Sequence, residues 1–136
     1  MSYQIVTDSA CNLTEETIDA FGLEILPLTF MVDGVQHRSY LKGEKTDLRQ
    51  FYTMMREGKV ITTSLPNMQE TETTLRRVLD AGRDVLYLGF SSALSGTYEA
   101  TELLMKQLAG EYPERTLCAV ETFAASGGEG MLVYLA

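Results

Sequence analysis

The chain alternates short apolar runs with longer amphipathic segments, and this alternation restricts the fold more than any other feature of the sequence. The apolar runs predict strands, and the segments between them repeat apolar residues at helical spacing. Strands that alternate with helices are typical of a parallel sheet whose two faces are both covered by helices. The sequence therefore predicts an α/β domain with a mainly parallel sheet and helices on both faces.

The predicted strands have two informative features besides their order. Asp33-Gly34 is a strong signal for a two-residue hairpin turn. The run 85–90 is apolar almost throughout, as expected of a strand covered on both faces. The predicted strands cover residues 3–7, 24–32, 35–40, 60–61, 85–90 and 117–120.

The predicted helices follow residues that can cap a helix. Asn12 is expected to cap the first helix, which Gly22 ends, and Thr46 is expected to cap the second, which Gly58 ends. Further helices are predicted after residue 66, from about 96 to 108, and at the end of the chain. The second helix carries an apolar stripe that we interpret as core: Leu48, Phe51, Tyr52 and Met55.

The charge and the cysteine pattern exclude several classes of function. Eleven Lys and Arg against nineteen Asp and Glu give a net charge of −8, which disfavours nucleic acid as a partner. No apolar run reaches the length of a membrane span, and no leader peptide precedes the domain, so we expect a cytoplasmic protein. Cys11 and Cys118 lack metal-type spacing, and His37 is the only histidine. The sequence therefore predicts no metal site and no cofactor.

Clusters of hydroxyl residues follow four of the predicted strands. In an open parallel sheet such loops gather along one edge, where ligands bind. Hydroxyls and free amides at helix starts can hold an anion, and the clusters contain no Lys or Arg, which favours a single carboxylate over a nucleotide. In the alternative interpretation each cluster is only a helix cap. The clusters cover residues 7–9, 62–64, 91–97 and 121–128.

Two catalytic alternatives and one regulatory alternative stay open beside ligand binding. Asp8 could be the nucleophile of a phosphoryl-transfer enzyme, and Ser95 could be that of an acyl-transfer enzyme. The segment around Ser95 lacks the GxSxG pattern, and His37 cannot be assigned as its base. We therefore expect a binding protein rather than an enzyme. A regulatory interaction domain is the third possibility.

Five segments, in order along the chain, resemble the DegV family. FSSALSGTYEA at 90–100 closely matches the family motif SSxLSGTY, and TTSLP at 62–66 is similar to its TSQP motif. Leu65 replaces the polar residue of TSQP, and Glu121-Thr122 replaces the usual Asp-Ser pair. The other three segments are IVTDSACNLT at 5–14, LPLTFMVDGVQHRSY at 26–40 and AVETFAASGGEGMLVYLA at 119–136.

The resemblance implies both an architecture and a function. Residues 1–136 would form the N-terminal α/β domain, incomplete at its C-terminus, and a second domain, absent here, would help to enclose an acyl chain. Members bind a long-chain fatty acid and present its carboxylate to a separate fatty acid kinase. By the same resemblance, Thr63 and Ser95 would bond the carboxylate, the amide of Gly96 would assist, and Ser64 is a weaker candidate.

Overall fold

The structure is a computed structural model that describes residues 2–40, 42–43 and 47–136. Within these residues the strands are β1 Tyr3–Asp8, β2 Glu24–Leu26, β3 Thr29–Val32, β4 Val35–Arg38, β5 Ile61–Ser64, β6 Asp84–Gly89 and β7 Leu117–Glu121. The helices are α1 Glu15–Phe21, α2 Leu48–Arg56, α3 Met68–Asp80, α4 Thr97–Glu111 and α5 Gly127–Leu135. A 3₁₀ helix, Ser9–Cys11, follows β1 directly.

The main sheet has four strands in the order β2-β1-β6-β7, and every pair in it is parallel. Helices α3 and α4 cover one face, where the side chains of Val6, Leu75 and Met105 belong to one buried cluster. Helices α1 and α5 cover the other face around Ile18 and Val133. The predicted α/β architecture, with helices on both faces of a mainly parallel sheet, is confirmed.

A second sheet of three antiparallel strands, in the order β4-β3-β5, lies beside the main one. The single strand predicted over 24–32 is wrong, because the chain leaves the main sheet at Pro27. Proline has no N–H to donate to a ladder, so β2 ends just before it and β3 begins in the other sheet. The strand predicted at 60–61 runs instead over Ile61–Ser64 and pairs with β3.

The hairpin turn between β3 and β4 is confirmed. Asp33 and Gly34 both have positive φ, 48° and 84°, as a turn matched to the twist of the two strands requires. The structure assigns strand only as far as Arg38 after this turn.

The helix caps differ from those predicted. Asn12 does not cap α1; it takes a left-handed conformation that closes the 3₁₀ helix, and Thr14 caps α1 by accepting a bond from Thr17 N at 3.3 Å. Asparagine adopts that conformation at little cost, which explains the difference. The predicted cap Thr46 lies outside the described residues. The side chain of Asp47 accepts from Gln50 N at 2.9 Å at the start of α2.

The apolar stripe of α2 is not core, contrary to the prediction. Leu48, Tyr52 and Met55 are 60%, 53% and 51% exposed, and no residue of this helix is buried. The helix contacts the small sheet through Phe51, whose ring packs edge-on against Phe30 with centroids 5.3 Å apart. Helical spacing identifies the apolar face, but it does not say whether anything covers that face. No helix in the described part of the chain is long and apolar enough to span a membrane.

Candidate functional site

A cavity of about 690 Å³ lies where the end of β1 meets the small sheet. The 3₁₀ helix, β3, β5, α2 and the turn after β6 all contribute to its wall. Among the described residues that line it, none has an ionisable side chain. Its lining consists of apolar and hydroxyl-bearing side chains with one amide: Ser9, Ala10, Asn12, Leu28, Thr29, Phe30, Ser39, Leu48, Phe51, Ile61, Thr63, Ser64, Leu65, Phe90, Leu94 and Ser95.

Three of the four predicted site residues lie on this wall, namely Thr63, Ser64 and Ser95. Gly96 does not line the cavity, although it follows Ser95 directly and a side chain built on it would approach Leu65 at 3.8 Å. Segments far apart in sequence are therefore brought to one cavity, as expected for strand-end residues. One of these segments lies elsewhere than predicted. Residues 62–64 lie inside the antiparallel strand β5 rather than in a loop after a parallel strand.

The hydroxyls of β5 differ in whether their proton is still available to a ligand. Thr29 donates to the carbonyl of Leu65 at 3.1 Å, so the short bond between Thr29 and Ser64 must be donated by Ser64. The single proton of Ser64 is thus already in use. No hydrogen bond within the described residues engages the Thr63 hydroxyl, which leaves its proton free for a ligand.

Ser95 is held at the start of α4 by Thr97. Its Oγ accepts from Thr97 N at 3.3 Å and lies 2.8 Å from the buried Thr97 hydroxyl. Gly96 occupies the cap position of this helix and offers no side-chain cap. The first-turn amides of a helix lack intrahelical acceptors, and they favour a negative charge at this end. A carboxylate at Ser95 would meet these amides.

A third group of hydroxyls closes the cavity at the end of β1. Ser39 donates to the carbonyl of Leu28 at 2.8 Å, so Ser9 is the donor in the 2.6 Å contact between the Ser9 and Ser39 hydroxyls. Leu28 N in turn donates to Ser9 Oγ at 3.0 Å. The hydroxyls of Ser9 and Ser39 and the backbone of Leu28 thus bond to one another, and they fix the junction between the two sheets.

The fourth hydroxyl cluster, 121–128, does not line the cavity. Glu121 accepts from both the amide and the hydroxyl of Ser92, at 2.9 and 2.6 Å. Thr122 donates to the carbonyl of Gly89 at 2.7 Å. The cluster therefore ties the loop after β7 to the turn after β6, and the expectation that all four clusters face one ligand is wrong for this one.

A carboxyl group lies buried directly behind the wall of the cavity. Asp8 has no exposed surface, and its Oδ1 accepts from Ala10 N at 3.0 Å. Its Oδ2 accepts from Phe90 N at 3.0 Å and from the Tyr87 hydroxyl at 3.3 Å. Burial raises the pKa of Asp8, and these hydrogen bonds oppose that rise. Asp8 is enclosed by protein, so the structure gives it no access to a substrate.

A second carboxyl group, Glu129, is buried against Asp8. It has no exposed surface, and its Oε1 accepts from the Thr7 hydroxyl at 3.1 Å. Burial, together with the charge of Asp8, raises the pKa of Glu129 to about 8 and so favours the neutral form of this side chain. Sequence analysis missed Glu129. The available signal was that it is the only charged residue between positions 122 and 136.

His37 is not placed to act as a base for Ser95. It lies exposed on β4, where its ring stacks on Phe30 with centroids 5.2 Å apart, and it does not line the cavity. Cys11 is buried, Cys118 is exposed, and both are free thiols. Within the described residues no group of three or more His, Cys, Asp or Glu could hold a metal ion.

The comparisons with known proteins agree with one another. The sequence profile of the DegV family, described as a family of uncharacterised proteins, matches residues 2–136. A DegV domain-containing protein of Clostridium perfringens is 34% identical over 134 residues, which is 98% of this chain and 46% of the relative. The chain therefore spans about half the length of the curated relatives that it matches.

Solved structures share the fold. One is a DegV family protein from Thermus thermophilus described by its fatty acid binding, with 32% identity, a TM-score of 0.83, and coverage of 99% of this chain and 46% of that one. Another is a DegV lipid-binding protein from Thermotoga maritima, with 25% identity, a TM-score of 0.83 and the same coverage.

Proposed function

Because the chain belongs to the DegV family, we propose that it binds a long-chain fatty acid in the cavity beside the small sheet. The observation that carries the proposal is the lining, which combines hydroxyl donors with apolar side chains and has no ionisable group among the described residues. Such a lining suits a molecule with one anionic end and an apolar body. The fatty acid and lipid binding of the Thermus and Thermotoga proteins supports the same ligand class.

The carboxylate is held by Thr63 and Ser95. Thr63 brings a hydroxyl proton that no other described residue accepts, and Ser95 stands at the start of a helix whose amides favour a negative charge. The amide of Gly96 assists as part of that helix start. Ser64 contributes less, because it already donates to Thr29.

The acyl chain lies against the apolar part of the lining. Leu28, Phe30, Phe51 and Ile61 supply this surface, and the exposed side of α2 extends it. The proposal includes a second domain that covers the tail and makes the chain the N-terminal half of a longer protein. The shorter length of this chain relative to its relatives supports that arrangement.

In the full proposal the protein is a cytoplasmic carrier that presents its ligand to a separate fatty acid kinase and catalyses no step itself. Holding the carboxylate at the mouth of the cavity leaves the reacting oxygen accessible while the tail stays out of water. The enclosed position of Asp8 supports binding over catalysis, and so does the absence of His37 from the described lining of the cavity.

Mass spectrometry of an organic extract from the purified protein tests the proposal. The parent chain is expected to carry fatty acid at near one molecule per chain, and the variant Thr63→Ala/Ser95→Ala is expected to carry far less. The matched control is Thr73→Ala/Thr116→Ala, which removes two exposed hydroxyls outside the cavity and outside α2. Lipid absent from the parent, or equal in the parent and the double site variant, would contradict the proposal.

A further inference from the structure

The buried carboxyl groups of Asp8 and Glu129 connect three segments that are distant in sequence. Asp8 ends β1, Glu129 lies in the first turn of α5, and the residues that donate to Asp8 include Phe90, which directly follows β6. Both carboxyl side chains have no exposed surface. A pair of carboxylates so deeply buried cannot both carry a charge at acceptable cost, so one of them must keep a proton.

The hydrogen bonds show which carboxyl group keeps it. Every group that contacts Asp8 from the backbone or from Tyr87 is a donor, so Asp8 is placed as an ionised acceptor. Glu129 receives one bond, from Thr7 to Oε1, and its Oε2 meets no donor in the described part of the chain. A proton on Oε2 satisfies that atom and the neighbouring Asp8 carboxylate together.

The titratable groups that face the pair do not supply a compensating charge. Tyr87 on β6 and Cys11 on the 3₁₀ helix are the neighbours, and burial raises the pKa of both, that of Cys11 to about 11. Both are therefore neutral at pH 7. Among the described residues no Lys or Arg is paired with Asp8 or Glu129, so the proton is the one positive charge available to the pair.

The two backbone groups that donate to Asp8 belong to residues that line the cavity. Ala10 and Phe90 both line it, and the backbone N–H of each ends on an oxygen of Asp8. Ser9, the next residue in the chain, lines it too. A single carboxylate thus fixes the turn after β1 relative to the turn after β6, which also carries Ser95.

We propose that Asp8 is a positioning residue of the fatty acid site, and that Glu129 fixes it by donating a shared proton across a buried carboxyl–carboxylate hydrogen bond. The proposal deepens the function given above and rests on it for its binding part. The shared proton itself is a property of the fold, and it can be tested without any ligand.

The first test is the pH dependence of stability in the parent and in Glu129→Gln. The raised folded pKa of Glu129 means that the folded chain binds a proton that the unfolded chain releases between pH 4.5 and about 8. The pair's stabilisation is complete below that interval and is lost as pH rises through it. Denaturant titrations are expected to show an unfolding constant that rises by up to about tenfold per pH unit in the parent.

In Glu129→Gln that contribution is expected to disappear. The glutamine amide donates to Asp8 at every pH, and its carbonyl can still accept from Thr7, so the shape and the hydrogen bonds are kept while the titration is removed. The control is Glu99→Gln, a helix carboxylate outside the cavity lining, which should keep the parent's slope. A slope in Glu129→Gln equal to the parent's would overturn the shared proton.

The second test is the affinity for a long-chain fatty acid at pH 7 and pH 9. In the parent, affinity is expected to fall several-fold at pH 9, because loss of the proton sets two buried anions against each other. Glu129→Gln should bind equally at both pH values. Asp8→Asn, which turns an acceptor oxygen into a donor facing backbone N–H, should lose about tenfold or more at pH 7.

The outcomes separate the two proposals. Equal binding by Asp8→Asn and the parent would overturn the positioning role, and if Asp8→Asn does not fold, the pH response of the folded Glu129→Gln decides in its place. A parent that binds no fatty acid would overturn the proposed function and the positioning role with it. The stability slope would still decide whether the proton is shared.

Discussion

At the scale of single residues, the hydroxyl groups of the cavity differ in whether their proton is still available to a ligand. Ser64 and Ser9 donate to neighbouring hydroxyls, whereas no described residue receives the Thr63 proton. Sequence analysis could name Thr63, Ser64 and Ser95 because they lie in segments that resemble DegV motifs and that also carry hydroxyl clusters. The resemblance placed Ser64 below Thr63 and Ser95, but the order of residues does not show which hydroxyl meets an acceptor.

This difference predicts unequal effects of two conservative substitutions in β5. Thr63→Ala should weaken fatty acid binding by roughly tenfold to a hundredfold, the value of a hydrogen bond to a charged group. Ser64→Ala should weaken binding by less, and its main effect should be a loss of about 1 kcal/mol in the free energy of unfolding, because it removes the bond to Thr29. Fluorescence displacement and denaturant titration measure the two effects.

The reverse order, with Ser64→Ala the weaker binder, would mean that the Ser64 hydroxyl turns from Thr29 to the ligand. Thr73→Ala serves as the control in both measurements, because its exposed hydroxyl bonds only within its own helix.

At the scale of elements, the apolar periodicity predicted the main sheet and its helices, because these elements pack against one another over their full length. The periodicity failed where a local feature changed the surface against which an element packs. Pro27 divides one predicted strand between two sheets, and the stripe of α2 contacts the small sheet through Phe51 while its other members stay more than half exposed. A helical stripe encodes an apolar face but not the surface that covers it.

The position of α2 predicts that its stripe contributes little to the stability of this chain. Met55→Ala should change the free energy of unfolding by less than about 1 kcal/mol, because the side chain is 51% exposed. Leu75→Ala, in the fully buried face of α3, should cost about 2–5 kcal/mol. Chemical denaturation of the two variants compares them directly, and equal losses would show that α2 is part of the core after all.

At the scale of the whole molecule, the charges and the cavity have separate roles. The chain is strongly acidic, yet the cavity is lined by neutral groups throughout its described lining. The sequence predicted a neutral site for an anion from the absence of Lys and Arg in the loops. It did not predict the buried pair behind the wall, because Asp8 and Glu129 are 121 positions apart and meet only through the fold.

The central claim is that this neutral lining recognises the carboxylate of a long-chain fatty acid. The most direct test titrates the chain with a saturated long-chain fatty acid and, separately, with the methyl ester of the same acid, and follows both by calorimetry. The account predicts saturation at one fatty acid per chain and binding of the ester at least about tenfold weaker, because the ester offers the donors no charge. Equal binding of the two ligands, or no binding of the acid, would contradict it.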